Sequence, residues 1–194
     1  MAAPKILVIP GSLRTGSHNA KLAALAAYEF ALAGVEVTRL SFADYPLPIY
    51  DGDLQAKSGV PKSAVNLKRM IAAHHGCLLV TPEHNSSIPA LLKNALDWAS
   101  RPAFTSVMAY KPVAIMATSP GAISGARCLE HIKVALDSMM ARVVLARECI
   151  ITSVAGRIRD GRLVDETCLD FACGVVEELL AEIRLRAMAK AAAG

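Results

Sequence analysis

The sequence predicts a doubly wound α/β fold, a five-stranded parallel sheet with helices on both faces. Three observations lead there. Short apolar runs alternate with amphipathic stretches of helical period along the whole chain. The connections between runs are long enough for helical crossovers, which parallel neighbours require and which are right-handed. The loops after the first, third and fourth runs are unusually rich in Gly, Ser, Asn and Pro, and in such sheets ligands sit beyond the carboxyl ends of the strands, at the topological switch point.

The elements follow in order. Lys5 to Ile9 reads KILVI, an apolar run closed by Pro10-Gly11, as in a strand buried on both faces. Ser17 or a neighbour caps a helix with Leu22, Leu25, Ala26 and Ala33 on its apolar side, and Gly34 ends it. Val35 to Leu40 is a second strand. Phe42 to Pro61, rich in Pro and Asp, is too long for an ordinary link and is either functional or an interface arm. Helix is expected over 62–73, strand over 76–82, and helix over 88–100. In that last helix Leu91, Leu92, Ala95, Leu96 and Ala99 share one face, with Lys93, Asn94 and Asp97 opposite, Ser87 as its cap and Pro89 in its first turn. Pro112 to Thr118 is the fourth strand, 126–140 a helix, and the fifth strand falls within Arg142 to Ile151. A terminal helix carries Leu169, Ala172, Cys173, Val176, Leu180 and Ile183.

Composition narrows the classes. With 194 residues, 54% apolar and 20% charged, the chain can bury a full core without disulfide or metal, and residues 1–194 read as one domain. Neither a secretory signal nor a membrane-spanning stretch is evident, which points to a cytoplasmic protein. Five cysteines without a CxxC pair suggest reduced, packed thiols. A net charge of +4 without a basic, aromatic-interleaved run argues against nucleic acid. His74-His75 lack a completing carboxylate or Cys, so no metal set is read there.

The first loop, Gly11-Ser12-Leu13-Arg14-Thr15-Gly16-Ser17-His18-Asn19, lies where a strand meets a helix. Free backbone N–H groups, the positive end of the helix dipole and one guanidinium suit a phosphate. Ser17-His18 stand where a nucleoside-triphosphate loop needs Lys and Ser/Thr, and GxGxxG is absent, so neither an ATPase nor a tightly held NAD is read. His18 is either a phosphate contact or a solvated residue of the first turn. The third loop, Pro82-Glu83-His84-Asn85-Ser86-Ser87, offers amides for the polar edge of a flat heterocycle. The fourth, Ser119-Pro120-Gly121-Ala122-Ile123-Ser124-Gly125-Ala126-Arg127, admits close backbone approach.

GSLRTGSHN at 11–19, PEHNSSIPALLKNALDWASRP at 82–102 and SPGAISGAR at 119–127 resemble the NADPH-dependent FMN reductase family of flavodoxin-like proteins, which includes azo-, quinone and chromate reductases. The resemblance implies bound FMN, with NADPH or NADH as substrate. It implies that Ser12, Arg14, Ser17 and Asn19 bind the FMN phosphate, joined by His18 if that residue is a contact. Pro82, Glu83, His84, Asn85 and Ser86 would line the isoalloxazine and ribityl side, and Ser119 with Gly121 would close the other edge. It further implies a homodimer or homotetramer. His84 departs from the commoner Tyr and Ala90 from Gly.

No catalytic residue is assigned, because hydride transfer between stacked rings is the cofactor's chemistry and asks the protein mainly for positioning; Glu83 is the one acid or base to weigh. Trp98 reads as core or subunit packing, and Arg127 as a surface residue or a nucleotide-phosphate contact. The loops at 82–88 and 119–127 lack aromatics, leaving a ring face open to nicotinamide and then acceptor, the arrangement of a ping-pong reductase. A flavodoxin-type electron carrier and a flavin-dependent redox sensor are the alternative classes, since fold alone does not separate them.

Overall fold

The computed structural model describes residues 3–103, 105–121, 125–144, 146, 148–159 and 162–193; Ala122, Ile123 and Ser124 of the fourth loop lie outside them. β1 (Lys5–Pro10) pairs in parallel with β2 (Glu36–Arg39) on one side and β3 (Gly76–Thr81) on the other, and β3 pairs with β4 (Pro112–Thr118). The order is β2-β1-β3-β4-β5, the doubly wound sheet the sequence predicts.

Successive residues of the central strands serve opposite cores. Ile6, Val8, Leu78, Val80, Ala114 and Met116 face α1 (His18–Leu32) and α6 (Glu166–Ala193). Leu7, Ile9, Cys77, Leu79, Val113 and Ile115 face α3 (Lys62–Ala72), α4 (Ala90–Ala99) and α5 (Ala126–Ser138). Burial on both faces explains why these strands read as continuous apolar runs rather than alternating ones. It also pushes the Cys77 thiol up to about 12, as the sequence's packed, unreactive Cys requires.

The fifth position differs from the expectation of one strand. β5 (Arg142–Val143) and β6 (Cys149–Ile151) both pair with β4, with Val113 opposite Val143 and Met116 opposite Cys149. From 113 to 116 β4 advances three residues while its partner advances six from 143 to 149, so three surplus residues interrupt the strand. The chain then makes a short antiparallel hairpin, β7 (Ile158–Arg159) with β8 (Arg162–Leu163), that the sequence reading does not contain. Ser87 is not the cap of α4: Pro89 holds that position without a side-chain cap bond, and Ser87 closes a turn with His84. Among the described residues no helix is long and apolar enough to cross a membrane.

Phe42 to Pro61 folds onto its own chain. Phe42 is buried in a 3-10 turn (Phe42–Asp44), and α2 (Gly52–Ser58) follows with Asp51 as its cap. Between them the backbone is gripped by α4. Asn94 Nδ2 and Trp98 Nε1 both donate to the Pro48 carbonyl, at 2.9 and 2.8 Å, and the Tyr50 N–H donates to Asn94 Oδ1 at 2.8 Å. Tyr50 meets the buried Trp98 edge-on, ring centroids 5.1 Å apart, and Arg101 lies 4.5 Å from the Tyr50 centroid. Asn94 is thus half-buried and paired, where its helical position suggests a solvated residue. Asn94→Ala should cost about 1–3 kcal/mol, the scale for stranding a buried polar group, and should speed hydrogen exchange at the Tyr50 amide while β3 stays protected. Unchanged exchange at Tyr50 would dismiss the grip.

Candidate functional site

β1 and β3 are neighbours, but β1 leads into α1 on one face and β3 into α4 on the other. Chains that part in this way leave a crevice at the carboxyl ends of their strands, and the first loop, the third loop and the described parts of the fourth follow those ends. Their common anchor is the Gly11 N–H, which donates to the Val80 carbonyl at 2.7 Å.

In the first loop Arg14 to Ser17 form a turn closed by Ser17 N–H to the Arg14 carbonyl at 3.0 Å, with Gly16 at φ 69 where a turn of this kind needs a left-handed residue. The Arg14 N–H is held by Ser12 Oγ at 3.3 Å. Ser17 is the buried N-cap of α1, accepting from the Ala20 N–H at 3.4 Å. Asn19 is buried and its amide donates to the Thr118 carbonyl at 3.2 Å, tying the start of α1 to the end of β4.

This loop is electropositive. Arg14 is exposed and makes no ion pair among the described residues, and α1 has no acidic residue in its first turn. Burial first, then the charges of Arg14 and Lys21, hold the His18 imidazole below its ordinary value. Two buried atoms here, His18 Nδ1 and Asn19 Oδ1, lack a protein partner. A positive helix end, a guanidinium without an ion pair among the described residues, and a buried His18 Nδ1 that can donate when it carries the proton together fit a bound phosphate monoester; Asn19 Oδ1, an acceptor, does not take part.

The third and fourth loops are joined by side chains. His84 and Ser87 exchange backbone hydrogen bonds at 3.0 and 2.9 Å across Asn85 and Ser86, at φ 48 and 61, a tight turn of the I′ kind. Left-handed Ser86 costs about 1 kcal/mol, and the turn is held down by α5. Arg127 Nη1 donates to Ser86 Oγ at 3.3 Å, Ser87 Oγ meets His131 Nδ1 at 2.9 Å, and Cys128 Sγ donates to the Pro82 carbonyl at 3.4 Å. The half-buried Glu83 carboxylate accepts from the Gly125 N–H at 2.7 Å and the Cys128 N–H at 3.2 Å. Ser119 is buried, and its Oγ accepts from the Gly121 N–H at 3.3 Å.

The fold therefore links Asn19 with Thr118 and Glu83 with Gly125, while Arg14, His84, Asn85 and Ser86 stay exposed at the cleft. Cys128 and His131 are partners the sequence reading misses, since neither sits in a recognisable motif. A hollow of about 480 Å³ beside the first loop is lined by Leu13, Phe42, Tyr45, Leu47 and Leu91. A groove of about 1280 Å³ lies at the opposite end of the sheet, among Pro4, His75, Arg142 and the last turns of α6, remote from these loops.

A parallel sheet in this strand order, with an electropositive Gly- and Ser-rich loop after β1, defines a flavodoxin-like protein. Residues 4–156 match the family model for NADPH-dependent FMN reductase, and the chain belongs to that family. The quinone reductase of Escherichia coli K12 is 36% identical over 173 residues, spanning 88% of this chain and 90% of the relative. A 2-hydroxy-1,4-benzoquinone reductase from a Burkholderia species is 45% identical over 135 residues, 68% of this chain and 69% of the relative. FerB, a flavoenzyme NAD(P)H:(acceptor) oxidoreductase from Paracoccus denitrificans, superposes with a TM-score of 0.80 at 32% identity, covering 94% and 98% of the two chains. The protein is an NAD(P)H-dependent oxidoreductase with FMN as cofactor, an enzyme rather than a carrier.

The lowered His18 value carries a pH dependence. The unfolded chain binds the His18 proton more tightly than the folded one, so the FMN-free protein should lose stability as pH falls through the ordinary imidazole range and keep it above. Urea midpoints across that range should show a smaller loss in His18→Gln than in wild type. Equal pH slopes would mean that His18 is not held below its ordinary value in the folded chain.

Proposed function

We propose that the protein moves two electrons from NADPH or NADH to quinones, azo compounds or free flavins, one substrate after the other at a single open ring face. The electropositive first loop carries this reading. FMN, when bound, supplies the redox chemistry between nicotinamide and acceptor. Ser12 and Ser17 offer hydroxyls, Arg14 a guanidinium and α1 its free N–H groups to the phosphate, with His18 Nδ1 and Asn19 nearby. Pro82, Glu83, His84, Asn85 and Ser86 line the isoalloxazine and ribityl side, with Ser119 and Gly121 at the other edge. These residues hold and orient the cofactor, and none transfers a proton. The acceptor class rests on the relatives named quinone reductase and 2-hydroxy-1,4-benzoquinone reductase.

Residues 1–194 act as one domain in a cytoplasmic homodimer or homotetramer. Leu13 and Ile49, exposed beside the apolar hollow at the first loop, support subunit contact there. Sedimentation velocity distinguishes monomer, dimer and tetramer.

Two outcomes test the site and the cycle. Arg14→Ala should weaken FMN binding by about 1–3 kcal/mol, the scale of charge-assisted hydrogen bonds, and leave riboflavin nearly unaffected; equal losses would take Arg14 away from the phosphate. Initial rates at several fixed quinone concentrations should give parallel double-reciprocal lines, as a shared position demands. Intersecting lines would mean separate sites.

A further inference from the structure

α5 begins without a cap of its own. Its N-cap residue, Gly125, has φ 116, and a Cβ there would stand 2.8 Å from Ile150 Cγ2 and 3.3 Å from Ala117 Cβ. Ser, Asp and Asn, the residues that cap helices locally, are therefore barred from the position. The end is satisfied from 42 residues away in sequence by Glu83. Its Oε2 takes the N–H of Gly125, the N-cap residue, and that of Cys128, three residues into the helix. Those are the two donors that a capping box divides between two local side chains; here one carboxylate from another loop serves both. The neighbouring links from Arg127 to Ser86, His131 to Ser87 and Cys128 to Pro82 run along the same side of α5, so the 82–87 turn rides on this helix.

We propose that Glu83 is a positioning residue: by capping α5 it fixes the spacing between the 82–86 turn and the start of α5 at Gly125, and so the opening that receives the isoalloxazine ring. The inference rests on the flavin site argued above. Its carboxylate is engaged with backbone donors and does not exchange protons with substrate. The positive end of α5 is neutralised by Glu83 and so does not offer a second anion position.

The test compares Glu83→Ala, Glu83→Gln and Glu83→Asp with wild type, following FMN and riboflavin affinity by fluorescence quenching and the visible spectrum of bound flavin. Glu83→Ala should weaken both flavins by the same factor, about tenfold, one charge-assisted hydrogen bond converted to a binding constant. Glu83→Gln keeps an acceptor oxygen and should recover most of the loss, and so should millimolar acetate or formate added to Glu83→Ala. Glu83→Asp, one methylene too short to reach both amides, should weaken both flavins equally even if Glu83→Ala does not fold. The pH profile of turnover in Glu83→Gln should match wild type. Wild-type affinity for both flavins in Glu83→Ala or Glu83→Asp overturns the proposal, as does a lowered thermal midpoint with unchanged flavin affinity. Loss of an ionisation from the Glu83→Gln profile would replace positioning by acid–base chemistry. A wild-type chain that binds neither flavin overturns the site itself, and the positioning role with it.

Discussion

The site depends on the side-by-side pairing of β1 and β3, whose chains then leave to opposite faces of the sheet. Parallel strands end together, so the two departing backbones cannot cover the gap between them. At the start of α1 the Ala20 N–H is met by Ser17 Oγ, as helix ends, which lack intrahelical partners for their first N–H groups, require. The Gly11 bond to Val80 carries the pairing one residue past β1, and only then do the loops diverge. The Asn19 amide, donating to the Thr118 carbonyl, ties the first turn of α1 across to the end of β4.

The N-termini of α1 and α5, which follow the parallel strands β1 and β4, are treated oppositely. At α1 the partial positive charge is unopposed by any acidic residue in the first turn, and burial, then the charges of Arg14 and Lys21, lower the His18 value. At α5 it is met by a carboxylate. The third loop gains rigidity from the same arrangement, because a turn with two left-handed non-glycine residues persists where its surroundings hold it.

Much of this was legible in the sequence, for identifiable reasons. Central strands buried on both faces leave uninterrupted apolar runs, so β1, β3 and β4 could be read to within a residue or two. Ser17 could be read as a cap because capping is local. What escaped was long-range. Glu83 serves a helix 42 residues on, and periodicity carries no trace of that pairing; the cue was Gly125, a helix start with no Ser, Thr, Asp or Asn at the cap. Asn94 was placed on the polar face by helical spacing, but the partner that buries it is the irregular backbone of Pro48 and Tyr50, which has no pattern of its own. The fifth strand was read as one element because three surplus residues do not announce themselves in an apolar run.

That interruption bears on how the molecule behaves among its own kind. Strands at the border of a sheet present unpaired backbone groups and invite another chain to join. Here one border is broken into segments of two and three residues, and the other, β2, has four residues with charged Glu36 and Arg39 at its ends. Neither offers the long, flat, apolar ribbon that fibrillar stacking needs. The irregular fifth strand thus acts as a guard against edge-to-edge aggregation in a chain whose composition is strongly apolar.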